Sequence, residues 1–134
     1  MKVFFIIMIN VLLVYSPILS LNDDVAENIA SAIRIGNYKE LTKYFNSTID
    51  LALPEKEGVF SKTQAELIMK DFFFKNPPKS FLINNQGTSK NGSLFFVGTL
   101  TTSTNTFRIY FLIKKNVDTY KIQQLQIEIE KSIK

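Results

Sequence analysis

Residues 94–130 read LFFVGTLTTSTNTFRIYFLIKKNVDTYKIQQLQIEIE, and this stretch decides the fold. β-Branched and aromatic residues fill it, and two polar breaks, Thr104-Asn105 and Asn116 to Thr119, divide it. Leu94 to Thr102, Thr106 to Lys115 and Tyr120 to Glu130 are then three strands joined by turns. In the middle run Phe107, Ile109, Phe111 and Ile113 share one parity, and Arg108, Tyr110, Leu112 and Lys114 share the other. Side chains alternate across a strand, so one face is wholly apolar and the other mixed. In the last run Tyr120 and Ile122 hold one parity, while Leu125, Ile127 and Ile129 hold the opposite one. A strand changes faces only by inserting a residue, which predicts a β-bulge near Gln123-Gln124. A bulge bends a sheet, and a bent sheet wraps its helices into a cone.

Upstream, Lys90-Asn91-Gly92-Ser93 predicts a type I′ hairpin turn, preceded by a strand that starts at Phe81-Leu82-Ile83. Asn76-Pro77-Pro78 ends a helix that Ser61 caps, with Ala65, Ile68, Met69, Phe72 and Phe73 inward. Phe72-Phe73-Phe74 spans about 200° of helical arc, so Phe74 belongs near a second surface. It either contacts a pocket or partner or packs under the Pro77-Pro78 loop. Ile49, Leu51 and Leu53 alternate with Asp50 and Ala52 in a half-buried strand that Pro54 ends, with Val59-Phe60 as a short partner. Asn46-Ser47-Thr48 reads as a turn. Asn37 and Glu40 have capping-box spacing for a short helix through Phe45. The first helix carries Val25, Ile29, Ala32 and Ile33, is capped at Asn22, Asp23 or Asp24, and stops at Gly36. Helices segregated from a mainly antiparallel sheet define the α+β class.

The N-terminus reads as an address. Lys2 is followed by an apolar run from Val3 to Val14, broken only by Asn10, then by Ser16-Pro17 and Ile18-Leu19-Ser20. This is the order of a secretory signal over residues 1–20, with cleavage after Ser20 and a single domain over 21–134. No second apolar span follows, so no stable membrane span is expected after cleavage, and an exported, periplasmic or extracellular protein is.

Composition excludes much chemistry. The 134 residues contain no Cys, His or Trp. Disulfides, thiol nucleophiles, His-based triads and most zinc chemistry are therefore absent. The net charge is +4, only Arg34 and Arg108 are arginines, and the lysines are scattered along the sequence, which argues against nucleic-acid binding. No cofactor or metal spacing is present. Phe is abundant, with 12 residues, enough for an aromatic core.

Several phrases carry a resemblance. They include Gly36-Asn37, Lys43-Tyr44-Phe45-Asn46, Glu57-Gly58-Val59-Phe60-Ser61-Lys62, Asp71-Phe72-Phe73, Asn76-Pro77-Pro78-Lys79-Ser80-Phe81, Gly98-Thr99-Leu100-Thr101-Thr102 and Ile122-Gln123-Gln124-Leu125. Together they resemble a small exported family of unknown function from Gram-negative bacteria, with the cone-shaped nuclear transport factor 2-like, or cystatin-like, fold. The resemblance implies that fold and an export signal, and no catalytic residues.

Relatives of this fold bind small molecules inside the cone, and steroid isomerases among them use a carboxylate base in an apolar pocket. Asp50 is the candidate carboxylate, with Tyr44, Tyr110 or Tyr120 as hydroxyl donors, although strand alternation also allows Asp50 to face solvent. Phe73 and Gln124 are candidate pocket contacts. Arg108 either holds an anionic ligand or pairs across strands with Glu128 or Glu130. The reading that follows is an exported, non-enzymatic binding or accessory domain, acting on an unknown ligand or protein through the cone pocket or the sheet face. The alternative is a small isomerase- or dehydratase-type enzyme. The amphiphilic sheet face also suggests a homodimer.

Overall fold

The computed structural model describes residues 21–131, so the expected signal segment lies outside the described residues. The elements are α1 (Leu21–Ile35), α2 (Tyr38–Lys43), β1 (Phe45–Leu53), β2 (Lys56–Ser61), α3 (Lys62–Lys75), β3 (Pro78–Thr88), β4 (Leu94–Thr102), β5 (Thr106–Asn116) and β6 (Thr119–Ile129). Six strands form one curved sheet in the order β2-β1-β6-β5-β4-β3, with the helices on one face. All neighbours are antiparallel except β1 and β6.

The long meander exists as its alternation predicts. Leu112 faces Gln124 and Ile113 faces Ile122, so Gln123 is the extra residue that turns the last strand over. That bulge lets Ile122 and Leu125 both enter the core, where each is almost fully buried. Phe107, Ile109, Phe111 and Ile113 form the inner face of β5. The interior is stacked with rings. Phe96 lies over Phe111 at 5.1 Å, and Phe72 meets Phe107 edge-on at 5.2 Å. Such pairs add about 1 kcal/mol each beyond the area they bury.

Local signals set the helix ends. Gly36 has φ +70°, and its amide and that of Asn37 bond back to Ile33 and Ala32, closing α1 in a Schellman motif. A Cβ there would meet Pro78 Cδ at 3.1 Å, so the same glycine lets α1 end against the start of β3. Ser61 and Gln64 form a complete capping box on α3.

Other boundaries differ from the sequence expectation. α1 reaches back to Leu21, so residues 22–24 lie inside it and do not precede it. Asn37 caps Glu40 N at 3.1 Å, but the Glu40 carboxylate goes to Lys43 Nζ at 2.7 Å, leaving half a capping box. Phe45 to Thr48 is strand, because Ile122 N bonds to Tyr44 O and draws the chain into parallel pairing with β6. β3 starts at Pro78, before Phe81, which an edge strand tolerates. The β3–β4 turn has positive φ at Gly92 only. Gly92 N bonds Ser89 O and Ser89 N bonds Ser93 O, a three-residue turn and not the two-residue type I′ form.

Candidate functional site

The inner sheet face and the helices close on each other, so the middle of the cone is filled. Phe45, Phe81, Phe111, Ile49, Leu51 and Leu100 are all fully buried there. Space opens at one end, beside the β1–β2 turn and the C-terminal half of α3. A recess of about 490 Å³ lies there, floored by Leu53, Ile68, Phe72, Phe107 and Ile129. Its rim is polar. Lys75 Nζ sits 3.1 Å from Asp71 and 3.7 Å from Glu55, while Lys56, Asn76 and Asn105 complete the edge. The hydrogen bond to Asp71, its charge and that of Glu55 hold the Lys75 ammonium above the ordinary lysine pKa of 10.5. An apolar floor under a paired cation and two carboxylates suits an amphipathic small molecule. Both carboxylates among its described lining residues lie beside Lys75.

The residues singled out in the sequence lie elsewhere. Asp50 faces outward on β1, opposite Val59 of β2 and Gln124 of β6, and is exposed. It is on the wrong side of the sheet to serve the cone interior, and with it the carboxylate-base arrangement dissolves. Tyr110, Arg108 and Gln124 share that outer face. Glu128 stands directly opposite Arg108, yet no described carboxylate comes within 4 Å of the guanidinium, so register alone makes the expected pair. Tyr44 caps α2 and is half-buried against the core. Phe73 is buried beside Phe72, with its ring edge-on at 5.6 Å. Phe74 is 83 % exposed, so it does not pack under Pro77-Pro78. It borders a shallow groove with Tyr38, Leu67 and Lys70. None of the residues singled out in the sequence lines the recess, because its floor comes from four segments whose nearness no local pattern encodes.

The outer face has its own apolar centre. Phe95 stacks with Tyr110 at 6.4 Å and covers Gly87, where a Cβ would come within 2.5 Å of the ring. Val97 and Leu112 flank them, and Leu82 stands 66 % exposed at the edge. Among the described residues no group of three or more metal-ligating side chains occurs, and no helix is long and apolar enough to cross a membrane.

A mainly antiparallel cone of this topology defines the class. The chain shares the fold of a cystatin-like protein of unknown function from Nostoc punctiforme (12 % identity, TM-score 0.63, 82 % of this chain and 89 % of that one). It likewise shares that of an NTF2-like (nuclear transport factor 2-like) protein of unknown function from Cytophaga hutchinsonii (13 % identity, TM-score 0.55, 80 % and 88 %). Within this class, residues 26–128 match the family described as Domain of unknown function (DUF4783), and the chain belongs to that family. Crystal structures of family proteins from Bacteroides uniformis (32 % identity, TM-score 0.75, 81 % of this chain and 99 % of that one) and Bacteroides ovatus (30 %, 0.73, 78 % and 94 %) are similar to it. No match is found among curated proteins.

Proposed function

We propose that this protein is an exported, non-enzymatic binding domain that takes a small amphipathic ligand in the recess at the open end of the cone. One observation carries the reading: the only carboxylate suggested as a base lies outside the cone, whose interior is filled by phenylalanines and aliphatics, while an apolar-floored recess stays open at its mouth. The apolar part of the ligand sits on Leu53, Phe72, Phe107 and Ile129, and its polar end meets the Asp71–Lys75–Glu55 rim.

Nile red, a neutral apolar dye, tests this directly. Saturable fluorescence enhancement is expected for the parent protein and its loss in Ile129→Trp, which fills the recess. Equal binding by a folded Ile129→Trp would overturn the reading. Export is supported by the charged, apolar and polar order of residues 1–20, and intact mass of the protein recovered from the periplasm should begin at Leu21.

A second reading concerns assembly. The Phe95–Tyr110–Val97–Leu112 centre favours a second copy of the chain, because Asp50 and Glu57 lie on β1 and β2 of that face while Arg108 lies on β5, beside the apolar centre. A two-fold pairing can set these opposite charges against each other. Light scattering at tens of micromolar should give a dimer that Tyr110→Lys dissociates, and a monomeric parent would end this reading.

A further inference from the structure

Two lysines far apart in the sequence meet beside the N-terminal end of α3, away from the recess, and a third lies across the strands from one of them. Lys62 Nζ and Lys121 Nζ both donate to one acceptor, the Lys43 carbonyl, at 3.4 and 3.1 Å. The two ammonium groups are thus within two hydrogen-bond lengths of each other. Lys114 stands directly across from Lys121 in the β5–β6 register. Among the described residues no carboxylate lies within 4 Å of these three, and the nearby Glu40 is taken by Lys43 at 2.7 Å.

Each placement works against the fold. Like charges directly opposite on neighbouring strands repel. Lys62 occupies the first turn of α3, the positive end of the helix, and that turn has no acidic residue. At the terminus of α3 the Gln64 amide already donates to the Ser61 hydroxyl, and the Ser61 amide to the Gln64 side chain. What remains unmet is ammonium charge. Lys62 and Lys121 are half-buried, and the shared Lys43 carbonyl brings their nitrogens together at an exposed site. Each ammonium has three donors and spends one on Lys43. Costly arrangements without a compensating partner mark sites selected for something other than stability.

We propose that Lys62, Lys114 and Lys121 form a receptor for a phosphate-class oxyanion, whether free or carried by a lipid headgroup. Such a group has the multiple charge and the several acceptor oxygens that three ammonium groups demand, and charge-assisted bonds to it are the strong ones.

The test is calorimetric titration of the full chain with inorganic pyrophosphate at constant ionic strength, beside co-sedimentation with phosphatidylglycerol and phosphatidylcholine vesicles. Saturable pyrophosphate binding that weakens about tenfold or more in Lys62→Gln/Lys121→Gln is expected for a free anion. Binding to phosphatidylglycerol vesicles alone, lost in the same variant, assigns the headgroup. Lys79→Gln/Lys90→Gln, on β3 and in the β3–β4 turn, should change neither. The lysine variant should melt no lower than the parent because repulsion is relieved, and Lys114→Gln is a milder second variant. Equal binding by the folded lysine variants, or no saturable response to either probe, overturns the proposal.

Discussion

The two ends of α3 use the same residue type in opposite ways. At the C-terminal end Lys75 sits between Asp71 and Glu55, its charge favours the negative end of the helix dipole, and its pKa rises. At the N-terminal end Lys62 meets Lys121 over a shared carbonyl, with Lys114 behind them and no carboxylate at hand. Lysine is thus neither stabilising nor destabilising as a type. Its neighbours decide, and the end that violates the electrostatic rules is the end with capacity left for a ligand.

The largest effect that breaks this contrast is removal of the floor beneath the paired end. Phe107→Ala deletes the ring that meets Phe72 and should cost about 3–5 kcal/mol, read from the urea midpoint. Pyrophosphate binding at the lysine end should persist in the fraction that stays folded.

Next is Val117, in the β5–β6 turn that carries Lys114 and Lys121 on its two strands. Its φ is +51°, a left-handed conformation that a β-branched residue adopts only under strain, and it is 89 % exposed. Val117→Asn should therefore stabilise by about 1 kcal/mol in thermal or urea unfolding, with no loss of contacts. Lys114→Glu turns repulsion across from Lys121 into a cross-strand pair and should gain about 0.5 kcal/mol. The same change should abolish pyrophosphate binding, so stability and binding move in opposite directions.

The smallest effect is at the paired end. Asp71→Asn should shift the melting temperature little, because that ion pair is exposed. Lys43 and Lys75 both have raised folded-state pKa values, from Glu40 and from Asp71 and Glu55 respectively. Their contribution is therefore fully present below pH 10.5 and lost as pH climbs through the raised values. A melting series at alkaline pH should show this loss, and Asp71→Asn should flatten it.

Sequence reading reached the features written in local periodicity. The parity change between Ile122 and Leu125 identified the bulge at Gln123, and three consecutive phenylalanines on one helix required that one, Phe74, stay outside. It missed what depends on pairing between distant segments. Asn46-Ser47-Thr48 has turn composition, yet the bond from Ile122 N to Tyr44 O makes it strand. The recess draws on Leu53, Phe72, Phe107 and Ile129, and the lysine cluster on residues 43, 62, 114 and 121, so neither leaves a trace at any one place in the chain. Asp50 drew attention because its strand neighbours are apolar, but the alternation that makes them core is what turns it outward.

The place of β6 in the sheet has a consequence for folding. Among the described residues it is the last strand in chain order and the one that joins the halves, with β1–β2 on one flank and β5–β4–β3 on the other. Until residues 119–129 pair, the β1–β2 hairpin and the three-strand meander are separate pieces with unsatisfied edges. Such contacts, distant in sequence, form late and slowly. Formation of the single sheet therefore waits on the pairing of β6 with both flanks, and a change that weakens β6 loosens both at once.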